Sequence, residues 1–142
     1  MKLVKHLLDT KGRDVISITP DASVYDAVKL MADKGVGSLL VMNGDELKGI
    51  ITERDYARKV ILESRSSEKT RVAEIMSTEV TTVSGEQNVS QCMEVMTRRR
   101  IRHLPVVEDG AVIGMLSMRD LVQAIIADQK EEIEQLESYI SG

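Results

Sequence analysis

The chain has no Phe and no Trp, and Tyr25, Tyr56 and Tyr139 make up its whole aromatic content. A module that reads nucleic acid by stacking bases on aromatic rings would have little to stack them on, so nucleic acid is not an expected partner. The single cysteine, Cys92, excludes an intramolecular disulfide and fits a reducing, cytoplasmic compartment. No apolar run approaches the roughly 18 residues needed to span a bilayer. The opening MKLVKHLLDT meets Asp9 before any signal-like apolar stretch develops, so neither membrane nor secretion is expected. Disorder is excluded too. Of the 142 residues, 42% are hydrophobic and 30% charged, which supplies apolar surface for one domain-sized core.

The net charge of −4 is unevenly placed. From Asp120 onward, Asp120, Asp128, Glu131, Glu132, Glu134 and Glu137 face Lys130 alone, and the rest of the chain is close to neutral. Within that remainder lies one dense basic cluster: Arg98, Arg99, Arg100, Arg102 and His103. A local basic patch in an acidic protein points to a small anion more than to a long phosphate backbone. The same cluster also suits the negative end of a helix with no ligand at all.

The chain repeats itself. Displaced by 65 residues, 15–61 lies on 80–126 without a gap, and nine of the 47 pairs are identical, among them Gly49/Gly114, Arg54/Arg119 and Asp55/Asp120. Each copy reads as strand, helix, strand, strand, helix. The opening strands are 15–18 and 80–83. Ser23 and Asn88 stand at N-cap positions. Val24, Ala27, Val28, Met31 and Ala32, and then Val89, Cys92, Met93 and Met96, each form the stripe of one buried helical face. Cys92 therefore reads as core, and His6, with no ligand partner at metal spacing, as surface. Short strands 39–42 with 47–51, and 104–107 with 112–116, are joined by Asn43-Gly44-Asp45 and Asp109-Gly110, which are hairpin signals. Further helices start at Glu53 and Met118. Each copy alone is too small for comfortable stability. The expected architecture is therefore α/β (α+β): two pseudo-symmetric β-α-β-β-α repeats packed sheet to sheet, 1–65 and 66–128, with the polar stretch 63–70 as linker and 129–142 as a C-terminal helix extension.

The segments SLLVM and GIITERD in the first copy, and HLPVV and GMLSMRD in the second, resemble the two signature stretches of cystathionine β-synthase (CBS) domains. The chain is thus similar to a tandem CBS pair, or Bateman module, of the stand-alone bacterial kind. Leu40 stands where the family usually has proline, and Pro105 keeps it. The resemblance implies a regulatory, non-catalytic module binding an adenosine ligand: AMP or NAD first, with ATP, ADP or S-adenosylmethionine as alternatives. It also implies a flat homodimer and an unidentified regulated protein.

The junctions Thr52-Glu53-Arg54-Asp55 and Ser117-Met118-Arg119-Asp120 carry the chemistry. Each puts a hydroxyl at a helix start, where free N–H groups favour phosphate, an arginine beside it, and a carboxylate able to accept from a ribose diol. Ser/Thr-x-x-acid is equally a capping box that stabilises a helix unliganded. By the family's arrangement each nucleotide lies between the halves. One site would join Lys11, Ile16, Val36 and Gly37 to Arg102, His103, Met115, Ser117, Arg119 and Asp120. Its mirror would join Thr81, Ile101 and Arg102 to Gly37, Ser38, Ile50, Thr52, Arg54 and Asp55, with Arg58 and Lys59 within reach of a phosphate. Arg102 and His103, set against Gly37 and Ser38, make the second motif better suited to several phosphates.

No Ser/His/Asp or Cys/His arrangement, metal-ligand cluster or Gly-rich phosphate loop is evident, so an enzyme is not expected. The alternative to ligand sensing is a ligand-free structural or stress adaptor. The C-terminal spacing Leu121, Ile125, Gln129, Ile133, Leu136, Ile140 is amphipathic and longer than one repeat needs, which favours dimerisation.

Overall fold

The structure, a computed structural model, describes residues 2–141; Met1 and Gly142, the ends of the expected 1–65 and 129–142 segments, lie outside them. The polypeptide divides into a central unit, Val15–Thr81, and a terminal unit composed of Met1–Asp14 with Thr82–Gly142.

In the central unit, β1 (Ser17–Ile18) runs parallel to β2 (Ser38–Asn43), which pairs antiparallel with β3 (Glu46–Thr52). Helix α2 (Val24–Lys34) begins where the Ser23 hydroxyl accepts from the Asp26 N–H at 3.0 Å, and it ends at Gly35 with φ +66°. Val24, Ala27 and Met31 are buried against Leu39, Val41 and Ile51. Ala32, expected on the same stripe, is exposed instead and borders a surface groove of about 290 Å³ with Tyr25, Val28, Lys29, Tyr56 and Ser67. Helix α3 (Glu53–Tyr56) widens into a π-helical segment, Ala57–Ile61, and α4 (Val72–Ile75) completes the core with Val72 and Ile75.

The terminal unit repeats this plan. Helix α5 (Val89–Arg99) starts with a capping box between Asn88 and Gln91 and buries Val89, Cys92 and Met96. Strands β4 (His103–Glu108) and β5 (Ala111–Ser117) form the hairpin, turning on Asp109 and Gly110 at φ +50° and +78°, both positive as a tight hairpin turn requires. Both hairpins carry a register shift at the same repeat position, after Val41 and after Val106. Helix α6 (Met118–Ser141) then runs unbroken through the expected extension.

Helix α1 (Val4–Lys11) belongs to this second plan. Its Val4 N–H donates to the Gln87 carbonyl and its Lys5 N–H to that of Gly85, just as Val72 and Ala73 donate to Ala22 and Pro20 in the central unit. Val4, Leu7 and Leu8 are buried among Val89, Cys92 and Leu116. Thus α1 fills in the terminal unit the place that α4 fills in the central one, and the packing units are not the consecutive halves of the sequence.

Two segments differ from their sequence reading. The expected strand 80–83 reduces to one parallel bridge, Val83 with Val106. The Leu40 N–H reaches the Ile16 carbonyl in the first copy, but Pro105 at the equivalent position has no N–H to offer. The polar stretch 63–70 is not a free linker. The Tyr25 N–H donates to the Ser67 carbonyl, the Val24 N–H to that of Thr70, and the buried Thr70 hydroxyl to that of Ser66 at 2.6 Å. Those bonds fasten it to the start of α2.

Candidate ligand site

In the terminal unit the strand-to-helix junction is closed from both sides. The Ser117 hydroxyl accepts from the Asp120 N–H at 3.1 Å, and Asp120 Oδ2 accepts from the Ser117 N–H at 2.7 Å. Lys11, at the end of α1, then brings its ammonium to the same carboxylate at 2.6 Å while donating to the Met115 carbonyl. Asp120 Oδ1 has no hydrogen bond among the described residues. Burial alone would raise the Asp120 pKa, but the Lys11 ammonium and the Ser117 N–H together hold it below the usual carboxylate value.

His103 opens β4 directly across from Ser117. Burial first, and then the Lys11 and Arg102 cations, depress its pKa against the opposing pull of Asp120, so the imidazole is neutral at pH 7. The Met118 N–H donates to the Arg102 carbonyl at 2.8 Å, while the Arg102 and Arg119 side chains are exposed. Ile101 and Met115 are half-buried. The junction therefore gathers an ammonium, a hydroxyl, a neutral imidazole and a carboxylate with one free oxygen, with Arg102 and Arg119 exposed on either side of it in sequence.

The central unit builds the same junction with one more acid, Glu53. Asp55 Oδ2 accepts from both the N–H and the hydroxyl of Thr52, at 3.0 and 3.1 Å, and Oδ1 faces Lys59 at 3.2 Å. Lys59 lies on the π-helical segment and also donates to the Ile75 carbonyl at 2.9 Å, so both carboxylate oxygens are engaged. The Glu53 N–H donates to the Gly37 carbonyl, and a Cβ on Gly37 would stand 3.7 Å from the Glu53 carboxyl carbon. An acid thus lies beside Gly37, at the repeat position where the other unit has Met118 beside Arg102. Sequence reasoning passed over Glu53; its pairing with Met118 in the 65-residue register was the signal. Ser38 is buried, Ile16, Val36, Ile50 and Thr81 are half-buried, and Arg54 and Arg58 are exposed.

Among the described residues no three His, Cys, Asp or Glu side chains gather as a metal site needs, and no helix is long and apolar enough to cross a membrane. Cys92 is buried, its thiol pushed up to about 11 by burial, and His6 is exposed.

Known proteins repeat this pattern. The CBS domain family matches residues 4–62 and 72–127, two copies that begin at Val4 and Val72, the equivalent first residues of α1 and α4. The mitochondrial CBS domain-containing protein CBSX3 of Arabidopsis thaliana is 43% identical over 98% of this chain and 72% of its own length. A putative signal-transduction protein with CBS domains from Burkholderia ambifaria is 50% identical, with a TM-score of 0.86 over 90% of this chain and 96% of that one. The CBS domain pair of protein MJ0100, solved in complex with methylthioadenosine and S-adenosyl-L-methionine, is 25% identical, with a TM-score of 0.78 over 90% of this chain and 98% of that one. CBS pairs are regulatory ligand-binding modules. Two repeats of one plan, each ending in a capped strand-to-helix junction, make this chain a member of the CBS domain family, with two CBS domains in tandem.

Proposed function

We propose that the chain is a cytoplasmic sensor of an adenine nucleotide, AMP or NAD foremost and ATP, ADP or S-adenosylmethionine otherwise, which regulates a partner protein and works as a homodimer without catalysing a reaction. The observation that carries this reading is the constellation of Lys11, Ser117, Asp120 and His103 in the terminal unit. There Asp120 Oδ1 accepts from a ribose hydroxyl, and Lys11, Arg102 and Arg119 meet phosphate. Met115 and Ile101 offer apolar surface to the base. Micromolar affinity corresponds to about 8 kcal/mol, and a hydrogen bond to a charged group contributes about 1.5–3 kcal/mol. Three such contacts with adenine burial suffice. A ligand held this way shifts the protein toward whichever arrangement it binds better.

The central junction, with Thr52, Arg54, Asp55, Arg58 and Lys59 beside Gly37, Ser38 and Ile50, is the weaker site for anions. Asp55 is already satisfied on both oxygens, and Glu53 repels phosphate. Taken alone, that satisfaction favours the second reading, an adaptor whose capping boxes only cap.

Titration calorimetry with AMP, NAD, ATP and S-adenosylmethionine decides between the two. Sensing requires heat with at least one ligand, weakened tenfold or more by Asp120→Asn and less by Asp55→Asn. Traces flat for all four reject it in favour of the adaptor.

A further inference from the structure

Helix α6 packs on its core as far as Ile125, and from Gln129 to Ser141 every residue is exposed. A helical stretch of this length is marginal in water unless an apolar face is covered. Such a face exists. Val122, Ile126, Gln129, Ile133, Leu136 and Ile140 follow one another at alternating spacings of four and three, which is the seam of a paired helix. At about 100° per residue they share one narrow stripe, turned well away from the core-facing Leu121 and Ala124. The apolar members are 41% to 82% exposed.

Charge selects the occupant and its direction. In a parallel pair with a second copy, Glu132 would flank the partner's Glu137. In an antiparallel pair centred near Gln129–Ile140, Lys130 flanks the partner's Glu137 twice over by symmetry, and Ile133 packs against the partner's Leu136. A longer antiparallel overlap would stack Lys130 on the partner's Lys130. The last turn of α6 carries no basic residue to answer its helix dipole, and antiparallel pairing brings the partner's Lys130 toward that end.

We propose that the exposed half of α6 is the self-association surface of this chain, closing antiparallel on α6 of a second copy through Ile133, Leu136 and Ile140, with Lys130 against the partner's Glu137. This rests on the homodimer reading above and says where that dimer is made.

Sedimentation velocity on the full chain tests it, with circular dichroism confirming the fold of each variant. The wild type is expected to be a dimer and Leu136→Glu a monomer; an exposed side chain leaves the cores intact. Reversing one end of a doubled exposed ion pair, by Lys130→Glu or Glu137→Lys, should weaken the dimer about tenfold. The combined variant should return to near wild-type affinity. Tighter association of Glu137→Lys alone would mean parallel helices and overturn the inference, as would indifference to both single reversals. A dimer that survives Leu136→Glu refutes the surface while leaving the homodimer standing. A monomeric wild type removes both.

Discussion

Lys11→Met removes a cation while keeping the length of the side chain, and the structure indicates three linked consequences. The Lys11 ammonium lies 2.6 Å from Asp120 Oδ2, with the two side chains 36% and 19% exposed. A charge-assisted hydrogen bond contributes about 1.5–3 kcal/mol, and partial exposure reduces this to about 1 kcal/mol. In a chain of this size that lowers Tm by about 3 °C. Asp120 loses one of the donors that hold its pKa down, so its pKa rises, though the Ser117 N–H still restrains it. His103 loses the largest electrostatic contribution to its lowered pKa, so its pKa rises as well, with burial remaining. The signs fix the pH dependence. The unfolded chain takes up a proton near the ordinary histidine value of 6.5 before His103 does in the fold. Wild-type stability is therefore full above that value and falls as pH drops below it. The variant loses less over that window, so its deficit narrows. The Asp120 contribution is present above its ordinary value of 3.8 and fades as pH falls through the lower folded value, where the remaining deficit closes. Urea denaturation at several pH values, with NMR titration of His103, reads both steps. A His103 pKa unchanged by Lys11→Met would refute the reasoning, because the ammonium could not then stand where the geometry puts it.

Arg100 caps α5 at φ +57°, where the first repeat has Gly35 at +66°; Arg100→Gly should stabilise the protein by about 1 kcal/mol in thermal denaturation. A Cβ on Gly49 would stand 2.5 Å from the Ser77 carbonyl oxygen, a backbone atom, whereas one on Gly114 would meet a methyl of the Leu8 side chain at 2.7 Å. Gly49→Ala should therefore cost about 3 kcal/mol and Gly114→Ala closer to 1 in urea titrations. Cys92, buried with a thiol pKa of about 11, should resist a disulfide reagent at pH 8 until the chain is unfolded.

Much of this architecture was legible because it is written in local chemistry. Ser23 and Asn88 cap the helices they precede, the Gly-containing turns close both hairpins, and Thr52 and Ser117 mark the two junctions. What escaped was the identity of the helix that closes each core. Val4, Leu7 and Leu8 share the spacing of Val72, Ile75 and Met76, but at an offset of 68 rather than 65. Leu8 to Val15 spans three residues more than Met76 to Val80, and a gapless comparison slides past the match. The site was legible in its residue types and not in its charge balance. Asp120 and Asp55 occupy the same repeat position, yet one is gripped by a lysine from a distant helix and the other by a lysine one turn along. Lys59, four residues beyond Asp55, is a local signal; the reach of Lys11 to Asp120 across a separation of 109 positions is not.

The placement of α1 and α4 bears on how such a chain can be cut. Severing it near residue 66 would yield two fragments, each deprived of the helix that seals its own interior. Val4, Leu7 and Leu8 would be stranded with the first fragment, and Val72 and Ile75 with the second.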